Sequence, residues 1–296
     1  MINLAQLLIS GILIGALYGL VAMGFVIIYR GARVFNMAYS QFSVIGAFIA
    51  WTFLGSPSSP RLALPLALFL TFLSTVAFGL VIEHFIFRRM IGRPLFATFI
   101  LSLGLWSILY GVVLQVWGPE SRVFAYSLPN GAVNLGPVVL SLGYIWSFAL
   151  AVIILGIFVI FFRRTKLGLA MRASYDNEVA ARCLGVNAGL NSKISWVICA
   201  LLATLAGFVI ASARGVSLAL GDLVMVVLAV ALMGGLDSLV GCVVGGLILA
   251  IVENLVSFYL NPFLPGIGTI FGMILILLVL LIRPRGLFGA KSIERV

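Results

Sequence analysis

The sequence predicts an all-α polytopic membrane protein with about eight or nine transmembrane segments, one of them short or broken, and an amphipathic helix in a cytoplasmic loop. Three observations carry that prediction. The chain is 63% hydrophobic and only 9% charged, with a mean hydropathy of +1.27, whereas about a quarter of the residues of a soluble domain are charged. Apolar runs long enough to cross a hydrocarbon core of about 30 Å recur from end to end, with no long hydrophilic block. Of the 18 Lys and Arg, all but Arg61, Arg122 and Arg214 fall on one side when the runs are threaded in order, which is the bias of cytoplasmic loops.

The candidate crossings are 4–29, 36–54, 62–87, 95–117 and 138–162, then a polar insert, then 194–213, a short 222–234, 239–257 and 265–282. The charge bias places the amino terminus outside and the carboxy terminus in the cytoplasm. Leu4–Tyr29 has no basic leader and is too long for the apolar part of a signal peptide, so it is expected to remain as a span. A single membrane domain, 1–296, with a cytoplasmic loop at 163–193 is expected. Run 222–234 is short for a crossing and is followed by Gly234-Gly235, which predicts a half-helix or re-entrant piece. Such breaks are tolerated where backbone is buried in protein or lines a water-filled cavity, and in transporters they often mark the substrate path. In VGCVVGG, Gly241 and Gly245 have the small-xxx-small spacing that lets two helix backbones approach, and packing is the more economical reading of those glycines.

Several function classes are disfavoured. The net charge of +10 does not indicate nucleic acid, because the basic residues sit at the ends of apolar runs instead of on a polar face. Cys183, Cys199 and Cys242 are odd in number and scattered, giving neither a disulfide framework nor a metal spacing. No GxxxxGK[ST] phosphate loop occurs, GAKS at 289–292 lacks the upstream spacing, and the single His84 cannot build a triad or a metal site. No enzyme and no cofactor is therefore expected. Glu83 and His84, just before Arg88 and Arg89, read as an interfacial ion-pair network, and Glu120 and Arg122 as outer-loop residues.

The insert TKLGLAMRASYDNEVAARCLGVN, 165–187, is the one long stretch that reads like a water-soluble surface. Glu178 and Arg182 stand four apart in the favourable order, and Arg172 shares a face with Asp176. Leu169, Ala173, Ala180, Cys183 and Leu184 recur at helical spacing and form a small second face. Gly185 is placed to end the helix and Ser192 to cap the next one. An amphipathic loop lying on the bilayer is the plainer alternative. Against it, Ala and Cys are poor lipid anchors and the polar face carries acids as well as bases, which suits a groove in a protein.

The insert also resembles the cytoplasmic coupling segment of permease subunits in the branched-chain amino acid family of bacterial ABC importers. The residues that carry the resemblance are Leu167-Gly168, Ala170, Arg172-Ala173, Asn177-Glu178, Ala180-Ala181 and Gly185-Val186-Asn187. YRGARVFNMAYSQFSVIGAF (29–48) is similar to the segment after the family's first helix, GGLDSLVGCVVGGLILAIVEN (234–254) to its Gly-rich segment, and RPRGLFG (283–289) to its carboxy-terminal motif. Two departures stand out: Tyr39-Ser40-Gln41 replaces a family His-Gly-Glu, removing an intramembrane acid, and Asp237 replaces a glycine.

The resemblance implies a permease that does no chemistry itself. Its implied partners are two cytoplasmic ABC ATPases, a second related permease and a periplasmic solute-binding protein, in a bacterial inner membrane. It implies branched-chain amino acids as cargo, with urea, short amides or aromatic acids as alternatives. Leu169, Arg172, Ala173, Asp176, Glu178, Arg182, Leu184 and Gly185 are then expected to couple to an ATPase. Asn36, Tyr39, Ser40 and Gln41 open the second helix, whose free N–H groups suit a carboxylate, and are the leading pathway residues. Asp237 and Ser238, which also read as an N-cap, and Glu253 and Asn254, near the outer end of their helix, complete the candidates. An ion-coupled secondary transporter, the main rival, needs charged relay partners near mid-membrane, and the acids here cluster near helix ends.

Overall fold

A helix that is apolar on every side has no face for water and belongs inside a bundle. The first helix, α1 (Leu4–Ala32), carries no charge before Arg30 and is buried over most of its length. Its glycines Gly11, Gly15 and Gly19 lie four apart and form one stripe, which meets a second glycine-bearing helix, α10 (Leu239–Leu260). The two backbones touch: a β-carbon on Gly15 would stand 2.7 Å from the Leu247 Cα, and one on Gly246 2.6 Å from the Gly19 nitrogen.

The computed structural model describes residues 4–32, 34–90, 93–126, 131–135, 138–176, 178–236, 238–284 and 286–289. Between α1 and α10 come α2 (Tyr39–Leu54), the short hairpin β1 (Gly55–Ser56) with β2 (Ser59–Pro60), α3 (Leu64–Phe85), α4 (Leu95–Trp117), the hairpin β3 (Ala132–Leu135) with β4 (Val138–Ser141), and α5 (Leu142–Arg164). The insert forms α6 (Lys166–Asp176) and α7 (Glu178–Cys183). Then follow α8 (Ala188–Arg214), a 3-10 turn (Leu218–Asp222), α9 (Leu223–Gly234), α10 and α11 (Ile267–Ile282). Among the described residues six helices are long and apolar enough to cross a membrane, and α2, α9 and α11 are shorter apolar helices. The core gathers around α1, α2 and α8, while α3, α4 and α5 turn Phe69, Leu73, Phe96, Ile108, Ile153 and Ile160 outward, as lipid-facing helices do.

The fold class agrees with the expectation, and the differences have local causes. Residues 138–141 pair as a strand, not as the start of a span. Val138, Val139 and Leu140 are apolar and largely β-branched, a composition that fits either state over so short a run. The insert is helical on both sides of residue 177, as expected, over Lys166–Asp176 and Glu178–Cys183. The second closes on Gly185 at φ 87°, with Val186 N–H donating to Ala181 O at 3.0 Å and Gly185 N–H to Arg182 O at 3.0 Å, a Schellman ending. The cap of α8 is Asn187, whose side chain accepts from Leu190 N–H at 3.1 Å, and not Ser192, which lies inside the helix. Asn187→Ala should lower stability by about 1 kcal/mol, read as a fall in the thermal midpoint in detergent.

Ser192 instead meets α3, donating to Glu83 Oε1 at 3.4 Å. Glu83 is therefore turned into the bundle, 1% exposed, and is not part of an interfacial ion-pair network. His84, the next residue, points the other way and lies 3.5 Å from Arg88. Consecutive helical residues are about 100° apart around the axis, so the two cannot share a face.

The short 222–234 run is extended by the 3-10 turn before it. Five residues at about 2.0 Å and twelve at about 1.5 Å supply about 28 Å of rise, close to the thickness of a hydrocarbon core. The break is real, since the helix type changes at Asp222, but the run covers more depth than a half-helix. Its far end is closed by the RPRGLFG segment: Leu287 N–H donates to Met233 O at 2.8 Å and Phe288 N–H to Gly234 O at 3.1 Å. Gly234 and Gly241 face each other with no room for a β-carbon on either, so the small-xxx-small reading of VGCVVGG holds.

Candidate translocation pathway and coupling segment

Helix α1 ends at Ala32 and α2 begins at Tyr39, and the stretch Val34–Ala38 between them, with Val34, Asn36 and Ala38 buried and Phe35 and Met37 half-buried, is not helical. Its conformation is set by short polar side chains. Asn36 Oδ1 accepts from Ala38 N–H at 3.0 Å, which turns the chain into α2. Across the bundle, Ser102 of α4 accepts from Met37 N–H at 3.0 Å and shares its one proton between the Phe99 carbonyl of its own helix, at 2.7 Å, and the Phe35 carbonyl, at 3.2 Å. A single hydroxyl thus ties the irregular backbone to α4, a role that spacing along the sequence does not signal.

Several side-chain polar atoms between Asn36 and Ser43 are buried without protein partners. Asn36 Nδ2, the Tyr39 hydroxyl, Ser40 Oγ, both amide atoms of Gln41 and Ser43 Oγ make no hydrogen bond, and none of these residues is more than 1% exposed. Each unpaired buried polar group costs about 1–3 kcal/mol, so six such atoms within eight residues are a concentration that packing alone does not select. The Tyr39 hydroxyl fills the space beside Gly24, and Ser43 O lies against Gly207 of α8. A β-carbon on Gly221 would stand 2.8 Å from Gln41 Nε2. The second helix break, at 218–222, therefore packs against the first turns of α2, beside the polar cluster.

The other pathway candidates are elsewhere. Ser238 Oγ accepts from Gly241 N–H at 3.0 Å, the cap expected of it, and is separated from Gly221 by the length of α9. Glu253 accepts from the Tyr18 hydroxyl at 3.1 Å and Asn254 Nδ2 donates to Leu7 O at 2.7 Å, so both tie α10 to α1. Glu253 also lines a small cavity with Val226, Ala229, Leu249, Gly272, Met273 and Ile276. Tyr18 and Gly24 are six residues apart on α1, which sets Glu253 about 9 Å along the helix from Tyr39. Asp237 lies outside the described residues.

The insert sits under the end of α1. Thr165 caps α6 by accepting from Gly168 N–H at 3.0 Å, and Met171 and Ser174 are buried. Tyr175 lies 6.2 Å from the Tyr29 ring and 5.4 Å under the Arg30 guanidinium. Met171 and Tyr175 are docking residues absent from the sequence-based candidates; their apolar bulk at i and i+4 is the signal that could have found them. Of the expected coupling residues, Leu169, Arg182, Leu184 and Gly185 are exposed, and Leu184 is 84% exposed. Ala173 and Arg172 are half-buried, with Arg172 Nε 3.4 Å from Gly168 O. The side chains of Asp176 and Glu178 lie outside the described residues. The outward face of α6–α7 thus carries apolar groups, Leu169 and Leu184, that the described residues do not cover.

Residues 7–283 match the family described as the permease component of branched-chain amino acid transport systems. The chain belongs to that family. Curated relatives resemble the permease over nearly its whole length. It is 27% identical to the high-affinity branched-chain amino acid transport system permease protein BraD of Pseudomonas aeruginosa, covering 98% of this chain and 97% of that protein. It is 26% identical to the probable branched-chain amino acid transport permease protein LivH of Methanocaldococcus jannaschii, over 98% and 95%, and 26% to LivH of Escherichia coli strain K12, over 98% and 97%. Among solved structures, PsaBC from Streptococcus pneumoniae in complex with Fab aligns with 95% of the permease and 92% of its own chain, at 17% identity and a TM-score of 0.50, a likeness of fold. The permease is a multi-pass membrane protein of a transport system and is not of an enzyme family.

Proposed function

We propose that this chain is a single-domain permease subunit, 1–296, of an ATP-driven ABC importer, carrying branched-chain amino acids or a related small polar solute across a bacterial inner membrane. Two cytoplasmic ATPases supply the energy, a periplasmic binding protein delivers the solute, and a second, related permease completes the path. The amino terminus is outside and the carboxy terminus cytoplasmic, as the distribution of Lys and Arg favours. The observation that carries the pathway is the contact of the helix break at Gly221 with Gln41, at the head of α2 just after the first break, among buried polar atoms without protein partners. Discontinuous helices at a packed interface are how transporters present backbone and side-chain groups to a solute. Asn36, Tyr39, Ser40 and Gln41 are all uncharged, which suits a solute of zero net charge such as an amino acid zwitterion. The exposed face of α6–α7 is the part an ATPase groove receives.

The deciding experiment is uptake of labelled leucine into vesicles that hold this permease, its partner permease, both ATPases and the binding protein. ATP-driven accumulation is the expected result. Hydrolysis without accumulation rejects leucine as cargo, and failure to assemble with the ATPases rejects the importer reading. Within that system, replacing Glu178 and Arg182 by Ala should weaken ATPase binding by about tenfold or less, the range of exposed helix-surface contacts, read by co-purification. Unchanged binding and hydrolysis would remove the insert from the coupling role.

A further inference from the structure

A continuous file of rings joins the polar cluster to the cytoplasmic insert. Centroid to centroid, Tyr175 of α6 lies 6.2 Å from Tyr29 of α1, Tyr29 6.5 Å from Phe35, Phe35 5.2 Å from Phe25, and Phe25 6.4 Å from Tyr39. All four separations fall within the roughly 4.5–7 Å over which ring quadrupoles attract. Phe25 and Tyr29 stand four apart on α1 and so share a face. Phe35 meets each of them edge-on, at interplanar angles of 89° and 90°. The Arg30 guanidinium over the Tyr175 ring keeps α6 against the same end of α1.

Phe35 is also the residue before Asn36, in the stretch where the helical ladder is broken. The backbone on both sides of Asn36 converges on one atom, Ser102 Oγ, at 3.2 Å from the Phe35 carbonyl and 3.0 Å from Met37 N–H. A short non-helical segment held at one point can turn by changing a few backbone dihedrals, which is how hinges at element ends work. A close-packed file does not absorb a push at one end.

We propose that Phe35 is the positioning residue that converts displacement of α6 into rotation of the Asn36–Gln41 head of α2, with Ser102 as the pivot. The inference rests on the importer reading and adds the internal route by which force on the insert reaches the pathway. Tyr29 passes the displacement from Tyr175 to Phe35, and Phe25 supports Phe35 from the side of Tyr39.

The test uses the complete transporter in vesicles, with leucine uptake and ATP hydrolysis measured in one preparation. Phe35→Ala and Tyr29→Ala are expected to assemble and to hydrolyse ATP, but to move about tenfold less leucine per ATP, the scale of coupling changes made away from either site. Phe35→Tyr and Tyr29→Phe keep the rings and should stay within about twofold of wild type. Unchanged uptake per ATP in both alanine variants overturns the proposal. So does an equal loss in the ring-keeping variants, because the rings would then not matter. If the alanine variants do not assemble, Phe35→Leu, which keeps bulk without a ring, takes their place: less leucine moved per ATP supports the ring route, and an unchanged ratio overturns it. Wild type in the same assay separates the failures: hydrolysis without leucine uptake there rejects leucine as cargo and failure to assemble rejects the importer reading, whereas normal wild-type uptake with normal variants rejects only the ring route.

Discussion

Gly246→Leu is expected to stop the permease from accumulating as a folded protein in the membrane, and Gly246→Ala to lower its thermal midpoint measurably. A β-carbon at this position would lie 2.6 Å from the Gly19 nitrogen, 2.7 Å from the Gly15 carbonyl oxygen and 3.0 Å from the Gly19 Cα. All three are backbone atoms, so no rotamer change relieves the contact. The helices α1 and α10 must separate, and α1 is the helix around which the core is gathered. Overpacking a well-filled core costs about 1–3 kcal/mol and occasionally more; a methyl group falls inside that range, and the four carbons of a leucine side chain exceed it. Gly104 on α4 supplies the control. Nothing lies within 4 Å of its added β-carbon, and its face of the helix is exposed. Gly104→Ala should leave stability unchanged or raise it by up to about 1 kcal/mol, the gain of removing glycine from a helix interior. Thermal midpoints in detergent decide the matter: equal midpoints for Gly246→Leu and Gly104→Ala would mean that the seam does not hold the bundle together.

Much of this architecture is legible in the sequence because a bilayer leaves few choices. A run such as 95–117 or 239–257 must be helical for its backbone to be satisfied in hydrocarbon, and the glycine stripe of α10 states which face packs closely. The insert is legible for the opposite reason, as the one polar stretch among apolar ones. What composition does not encode is which distant residues meet. Ser102 governs the break at Val34–Ala38 from 65 residues away in sequence, yet it reads as one more small polar residue in an apolar helix. Glu83 looks like a surface acid beside basic neighbours until the rotation of α3 turns it toward Ser192. The pathway cluster lies between these cases. Asn36, Tyr39, Ser40 and Gln41 stand out as polar residues opening an apolar helix, but the meeting of Gln41 with Gly221 depends on how α8 and the 3-10 turn fold back across α2. The strand at 138–141 is hidden for a simpler reason, since four residues are too few to establish a period.

Gln41→Leu is expected to separate stability from transport. Both amide atoms of Gln41 are buried and unpartnered, and the residue is 0% exposed. In a purely structural position such a side chain is a liability: replacing it with an apolar group of similar size removes two unpaired polar atoms, each costing about 1–3 kcal/mol. The folded permease should therefore be at least as stable with leucine at 41 as with glutamine. Transport is expected to move the other way. If the amide is held unpaired inside the protein in order to meet a passing solute, its loss removes hydrogen bonds to that solute, and about 1–3 kcal/mol corresponds to roughly a 5- to 150-fold fall in uptake. The two effects have opposite signs, so neither is mistaken for the other. A variant with an unaltered or raised midpoint, intact assembly with the ATPases and greatly reduced uptake is the signature of a pathway residue. A variant that is stabilised and still transports at the wild-type rate would show that Gln41 tolerates its unpaired amide for no reason connected with the solute, and the path would then have to be sought along α10, beginning at Glu253.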